Sequence, residues 1–325
     1  MKKKVLICGA SGFIGRNLFE ALSARPDLEV HGTYLNSKTF YKPEFSDHLH
    51  LANLTDKVWA KIVTERMDVV INAAALTAGL GGLDPAEYIP SNDRINTNLI
   101  EAAHKNKVGQ FIFLSCSILY PEHNSSSVKE SDTDFARIHP KYRTWAYVKI
   151  FGEELCRFYA GIGNTRFTVI RHSNVYGSYD KFDIRGHVFA ATVAKIMNAQ
   201  DSEDITVWGN GQEKRDLIHV SGLVRFVELA LDYGNRYDVF NIGSGRSVTV
   251  QELVEKINSI SGKNLPIHYD VSKPTVDTDI VLDTAKAKEI FGWRPKVDLD
   301  EGIKHTIQWY LENHQKGGQN DRYVR

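Results

Sequence analysis

The segment Gly9-Ala10-Ser11-Gly12-Phe13-Ile14-Gly15 constrains this chain more than any other. It joins a short apolar run, Val5-Leu6-Ile7-Cys8, to a stretch with apolar residues at helical spacing: Phe13, Ile14, Leu18, Phe19 and Leu22. A strand, a Gly-x-x-Gly-x-x-Gly turn and a helix bring backbone close to a ligand with no Cβ in the way. The helix start adds unpaired amides and a partial positive charge. The pattern predicts a seat for a dinucleotide pyrophosphate, formed by Gly9, Ser11, Gly12, Phe13, Ile14 and Gly15.

Charge narrows the partners. Lys+Arg and Asp+Glu both number 40 among 325 residues, so no net charge draws the chain to nucleic acid or a membrane surface. No apolar run approaches the roughly 20 residues that span a bilayer. Lys2-Lys3-Lys4 is followed by a strand-length apolar run, which is not a signal peptide. The cysteines, Cys8, Cys116 and Cys156, are scattered and odd in number, as reduced cytoplasmic thiols are, and no Cys/His spacing suggests a metal site.

Strand-like and helix-like segments alternate through the first half. Strands are expected at 28–34, 48–52, 68–72, 110–115 and 167–170, with helices at 55–65, 91–105 and 144–161. That order predicts an α/β fold, a Rossmann-like doubly wound parallel sheet with ligands beyond its carboxyl strand ends. The regular alternation then fades. Short strands at 206–208, 216–219 and 238–241 and helices at 187–198, 249–261 and 300–313 suggest a smaller C-terminal α/β lobe. The expected division is 1–173 for the dinucleotide domain, with strand contributions from 210–245, then 174–315 for the substrate lobe and 316–325 as a flexible tail.

Further motifs carry a likeness. Asn72-Ala73-Ala74-Ala75 follows the 68–72 strand, and Asn92 opens the helix leading to Asn98-Leu99-Ile100-Glu101. Leu119-Tyr120-Pro121, Lys149 before Phe151-Gly152-Glu153-Glu154, and Asn174-Val175-Tyr176-Gly177 come next. Gly209-Asn210-Gly211, Arg215-Asp216-Leu217-Ile218-His219 and Asn241-Ile242-Gly243 complete the set. With these the chain resembles, over nearly its whole length, the extended short-chain dehydrogenase/reductase family of nucleotide-sugar epimerases, dehydratases and reductases. Within it the fucose-synthase branch is most similar, on Ala102-Ala103-His104-Lys105-Asn106, Gly186-His187-Val188 and Val207-Trp208-Gly209 among others.

The resemblance implies hydride transfer between a nicotinamide and a sugar carbon, with a phenol moving the proton and a lysine holding the nicotinamide ribose. The family pattern is Tyr-x-x-x-Lys. Here Lys149 is in place, but Trp145 stands at the phenol's position, and an indole cannot cycle a proton near neutral pH. Tyr147 is nearby but about 200° around a helix from Lys149, and Tyr142 lies on the same face one turn too far toward the N-terminus. Where the family has Ser or Thr stands Cys116, flanked by Ser115 and Ser117, and Ile118 takes the branch's cysteine acid/base position. His187 matches the branch's second acid/base. The catalytic candidates are therefore Lys149, Cys116, Ser117, Tyr147 and His187.

The resemblance also implies cofactor contacts at Asn53, Leu54, Ala73, Ala74, Ala75 and Asn92, and substrate contacts at Asn174, His187, Lys195, Trp208 and Arg215. Asp279 stands where the branch carries a further arginine. After the second strand, Tyr34-Leu35-Asn36-Ser37-Lys38 offers no carboxylate for a ribose 2′-OH, whereas Arg16 and Lys38, beside Asn36, suit a 2′-phosphate. NADP(H) is thus expected over NAD(H). The implied function is NADP(H)-dependent reduction or epimerisation of a 4-keto nucleotide sugar, GDP-linked, by a cytoplasmic homodimer. The alternatives are a 4-epimerase or dehydratase with bound NAD, and a nucleotide-binding pseudoenzyme, to which Trp145 points.

Overall fold

The computed structural model describes residues 1–36, 43–77, 85–121, 127–183, 186–201 and 203–314. Strand β1 (Lys3–Cys8) runs through the glycine turn into α1 (Phe13–Ser23). Val5 and Ile7 face one core and Leu6 and Cys8 another, so β1 is covered on both sides. Double coverage is why its sequence is an unbroken apolar run.

The chain continues through β2 (Leu28–Tyr34), β3 (Leu49–Leu51), α2 (Lys57–Thr64), β4 (Val69–Asn72), α3 (Pro85–Lys105), β5 (Gln110–Cys116), α4 (Arg143–Ile162) and β6 (Arg166–His172). Beyond these come β7 (Asn174–Tyr176), α5 (Val188–Asn198), β8 (Ile205–Trp208), β9 (Lys214–His219), α6 (Val220–Ala230) and β10 (Tyr237–Ile242). Last are β11 (Ser247–Thr249), α7 (Val250–Ile260), β12 (Ile267–Asp270), α8 (Ala285–Phe291) and α9 (Leu299–His314).

The main sheet has the order β10-β6-β5-β4-β1-β2-β3, every pair parallel. Strand order reverses between β1 and β4, which opens a crevice at their carboxyl ends. One face is covered by Leu18, Phe19 and Leu22 of α1 with Leu223 and Phe226 of α6. The other is covered by Leu99 and Ala103 of α3 with Cys156 and Ala160 of α4. Burying each such Leu or Phe contributes about 1.5–3 kcal/mol, so this two-sided packing fixes the strand ends that carry the site. β7, β9 and β11 form a second sheet and β8 pairs with β12. Over them Phe189, Val193, Leu253, Ile257 and Ile303 make a separate core.

Three differences from the sequence reading stand out. Helix α3 starts at Pro85, not 91, because Pro90 interrupts the amide ladder in its first two turns without ending it. Helix α6 was not expected: Val220, Leu223, Val224, Phe226, Val227 and Ala230 are all buried, which leaves little polar face to mark a helix. The strand expected to end at Ser115 runs on to Cys116.

Candidate cofactor and substrate site

Gly9 has φ +78°, and a Cβ there would lie 2.7 Å from the Ala74 Cα. A Cβ on Gly15 would lie 2.1 Å from the Gly9 carbonyl oxygen. The turn thus packs backbone against backbone, and only glycine fits. Gly9 N–H donates to Thr33 Oγ1 at 2.9 Å and Ala10 N–H to the Thr33 carbonyl at 2.8 Å, which pins the turn to β2. Gly12 caps α1 with no side-chain hydrogen bond. The first-turn amides therefore face the crevice with their partial charge available, and Ser11 and Gly12 are exposed beside them. This open cradle fits a dinucleotide pyrophosphate.

The loop after β4 is the facing wall. Ala73 and Ala74 are half-buried and Ala75 is exposed, and Ala74 N–H donates to Asn72 Oδ1 at 3.2 Å. Asn92 does not open α3, as expected, but lies within it. Its amide bonds both the N–H and the carbonyl of Leu76, at 2.8 and 2.9 Å, and so clamps the loop. Leu54 is buried, and Asn53 Oδ1 accepts from Thr55 N–H and Oγ1. Asn36 is exposed at the end of β2, and Lys38 lies outside the described residues. Arg16 is engaged already: Nε donates to Glu20 at 3.1 Å and the guanidinium stacks 3.9 Å over the Tyr179 ring.

At the carboxyl ends of β5 and β6, Lys149 Nζ donates to the Leu114 carbonyl at 2.7 Å. Burial lowers the Lys149 pKa, while Cys116 and Glu153 oppose that shift. Burial raises the Cys116 thiol, with the Lys149 charge opposing. Ser115 turns to the other face and donates to Glu153 at 2.5 Å, and Ser117 is buried in a short 3₁₀ turn. Below them Arg171 meets Glu153 at 2.7 Å, both almost wholly buried, and also donates to Tyr120 Oη at 2.9 Å. Tyr120 in turn donates to Asn241 at 2.7 Å, so β5, β6, α4 and β10 are locked together under the site.

Tyr147 must be corrected. Its ring is about half exposed and its hydroxyl donates to the Phe135 carbonyl at 3.4 Å, on the outer face of α4. The rotation per residue of the helix carries it away from Lys149. The structure instead brings in His172, which the sequence reading passed over. His172 is the register partner of Cys116 across β5 and β6. Its Nδ1 lies 2.8 Å from the Ser173 carbonyl, which only accepts, so the proton sits on Nδ1 and Nε2 carries the lone pair. Burial, with Lys149 and His187 adding, lowers its pKa to about 4. The signal in sequence was a histidine closing an apolar strand.

The smaller lobe faces this cluster. His187 is the N-cap residue of α5 and makes no capping bond with its side chain. Surrounding protein lowers its pKa, and the charges of Lys181 and Arg215 add to that. Arg215 is held by three backbone carbonyls: Lys214 at 2.6 Å, Val276 at 2.9 Å and Thr278 at 3.5 Å. Asn174 donates to the Asp216 carbonyl at 3.1 Å. Trp208 is partly exposed, and Asp279 pairs with Lys214 at 2.9 Å. Lys195 lines an open hollow with Asn198 and Asp204 and donates to the Thr206 carbonyl at 2.6 Å, which ties it to β8.

Known proteins share this architecture. The NAD dependent epimerase/dehydratase family matches residues 5–243. A GDP-L-fucose synthase of Escherichia coli (strain K12) is 29% identical, covering 96% of this chain and 98% of its own. A probable GDP-L-fucose synthase 1 of Oryza sativa subsp. japonica is 32% identical, covering 95% and 92%. Among solved structures, a UDP-glucose 4-epimerase of Thermotoga maritima with UDP-glucose superposes with TM-score 0.83 at 27% identity, covering 95% of this chain and 99% of that one. With a glycine turn at the reversal of strand order and a lysine beside the end of β5, the chain belongs to the NAD dependent epimerase/dehydratase family.

Proposed function

We propose that this chain is an NADP(H)-dependent reductase/epimerase of a 4-keto nucleotide sugar, GDP-4-keto-6-deoxyhexose being the substrate that its fucose-synthase likeness favours. The observation that carries this reading is the convergence of Lys149, Cys116 and His172 on the large-lobe side with His187 and Arg215 on the other. The Gly9–Gly15 turn and the amides of α1 would hold the pyrophosphate, and Lys149 the nicotinamide ribose. The bound dinucleotide supplies the hydride. Arg215, its fork fixed by carbonyls, grips phosphate oxygens of the sugar nucleotide. His187 moves a proton at the sugar carbon beside the carbonyl, and Cys116 serves the opposite face.

Absorbance of reduced nicotinamide, followed with NADPH and GDP-4-keto-6-deoxymannose, tests the reading. Substrate-dependent loss of absorbance supports it, and a flat trace with both ligands bound overturns it. One observation favours a second reading, a 4-epimerase or dehydratase with bound NAD. Arg16, one of two cations expected at a 2′-phosphate, is already held by Glu20 and Tyr179. The pseudoenzyme alternative is not retained, since the relatives are named enzymes. A homodimer through α3 and α4 is supported by Tyr147, Phe151, Phe158 and Ile162, which leave an apolar stripe exposed along α4. Among the described residues no helix is long and apolar enough to cross a membrane, in keeping with the proposed cytoplasmic location.

A further inference from the structure

The crevice at the reversal of strand order has two walls, α1 with its glycine turn and the loop after β4. One short segment, residues 177–183, is bonded to both. On the α1 side, Asn17 Nδ2 donates to the carbonyls of Phe13 and Ser178, each at 2.9 Å. Further along the same helix the Tyr179 hydroxyl donates to the Glu20 carboxylate at 3.0 Å, and the Arg16 guanidinium lies 3.9 Å over the Tyr179 ring. On the opposite wall the Lys181 ammonium donates to the Thr77 carbonyl and to Thr77 Oγ1, the latter at 3.2 Å. The smaller lobe backs the segment. Trp309 of α9 meets the Tyr179 ring edge to face, centroids 4.8 Å apart, and stacks on Phe182 at 5.6 Å. The backbone is unusual here: Gly177 has φ +144° and Tyr179 has φ +69°. A tyrosine keeps a left-handed conformation only where its surroundings hold it, and Glu20, Arg16 and Trp309 do so.

The geometry points to residues 177–183 as a strap closed across the dinucleotide crevice, with Tyr179 as its anchor on α1 and Lys181 as its catch on the facing wall. The inference rests on the dinucleotide reading above and adds a gate to it: the cofactor enters and leaves when the strap lifts. A segment bonded to both walls covers what lies between them, here a pyrophosphate seated on the first amides of α1. The two ends are unequal. The anchor combines a hydroxyl–carboxylate bond, a cation over a ring and an indole contact. The catch is one ammonium on one residue, and both Lys181 and Thr77 are exposed, so water can replace that bond. Opening therefore starts at Lys181. Arg16 gains a task of its own in this arrangement, as part of the anchor.

The test measures NADPH entry and release by stopped-flow fluorescence in wild type, Lys181→Met and Tyr179→Phe, each stripped of nucleotide. Lys181→Met should speed release by roughly tenfold, about the worth of one hydrogen bond to a charged group, and speed entry as well. The equilibrium affinity should then change by less than about threefold, because both rates rise together. Tyr179→Phe, which alters no charge, should move both rates in the same direction. Rates unchanged in both variants overturn the strap and leave the dinucleotide reading standing. Faster release with unchanged or slower entry overturns it too, since that is the mark of a cation that holds the phosphates directly. If wild type binds neither NADPH nor NADH, the dinucleotide reading fails and takes the inference with it.

Discussion

Trp145 and Tyr88 meet edge to face, ring centroids 4.6 Å apart and planes at 76°. The contact ties α4 to the start of α3 and gives the indole an apolar partner. Tyr88 is buried and its hydroxyl has no partner among the described residues, so the pair is apolar packing with one unsatisfied polar atom.

From that pair, Trp145→Tyr should lower stability by about 1–2 kcal/mol, as ring area and the edge-to-face contact shrink. Tyr88→Phe should be neutral or stabilising by up to about 1 kcal/mol, because it removes a buried hydroxyl that bonds no described residue. Urea denaturation of the two variants checks both signs, and a strongly destabilised Tyr88→Phe would mean that the hydroxyl is satisfied by water.

Gly15→Ala should be far more damaging. The added methyl would fall 2.1 Å from the Gly9 carbonyl oxygen and 3.1 Å from the Ala10 Cα, and no flexible side chain is there to yield. A loss of about 2–3 kcal/mol or more is expected, with NADPH affinity falling alongside if the same turn holds the pyrophosphate as proposed. Thermal melts with and without NADPH measure both. An unchanged melting temperature would place the turn elsewhere.

Glu153→Gln should cost about 3–5 kcal/mol, since Arg171 would keep its charge in the interior without a carboxylate. Ser115 and Arg171 both bond that carboxylate, so Ser115→Ala in the Gln background should add little. Chemical denaturation of the single and double variants reads out this coupling.

Two histidines make the fold sensitive to acid. His172 and His219 both have their pKa lowered to about 4, chiefly by burial, from 6.5. The unfolded chain binds these protons more readily, so stability is present above about pH 6.5 and is lost as pH falls toward 4. His172→Gln should flatten this slope between those values in a denaturation series run against pH.

Asp180 works in the opposite sense. Burial raises its carboxyl to about 7 from 3.8, against the N–H of Lys181 at 2.7 Å, and Oδ2 is buried with no partner among the described residues. The folded chain holds this proton more tightly, so stability falls as pH rises from about 4 to about 7 and is level above. Asp180→Asn should stabilise the protein by roughly 1–3 kcal/mol at pH 8 and steepen the acid loss that the histidines cause. Equal stability of wild type and variant at pH 8 would show that the carboxylate finds solvent.

Local chemistry made part of this protein legible. The Gly9–Gly15 turn could be read because φ +78° and the backbone contacts at Gly15 admit only glycine, so the sequence had to declare them. Doubly covered strands such as β1 and β4 could be read because burial on both faces demands unbroken apolar runs. The Trp145-to-Lys149 spacing was legible too, since a helix fixes which residues share a face.

Tertiary structure alone decided the rest. That His172 lies opposite Cys116 is a matter of strand register between segments more than fifty residues apart, which no local pattern encodes. Arg215 is fixed by carbonyls of Val276 and Thr278, and Asn92 by the backbone of Leu76, contacts that exist only once distant segments pack. Tyr142 was visible in the sequence as a tyrosine one turn too early. That it caps α4, its N–H held by the His139 carbonyl, is set by the turn before the helix and by packing rather than by periodicity.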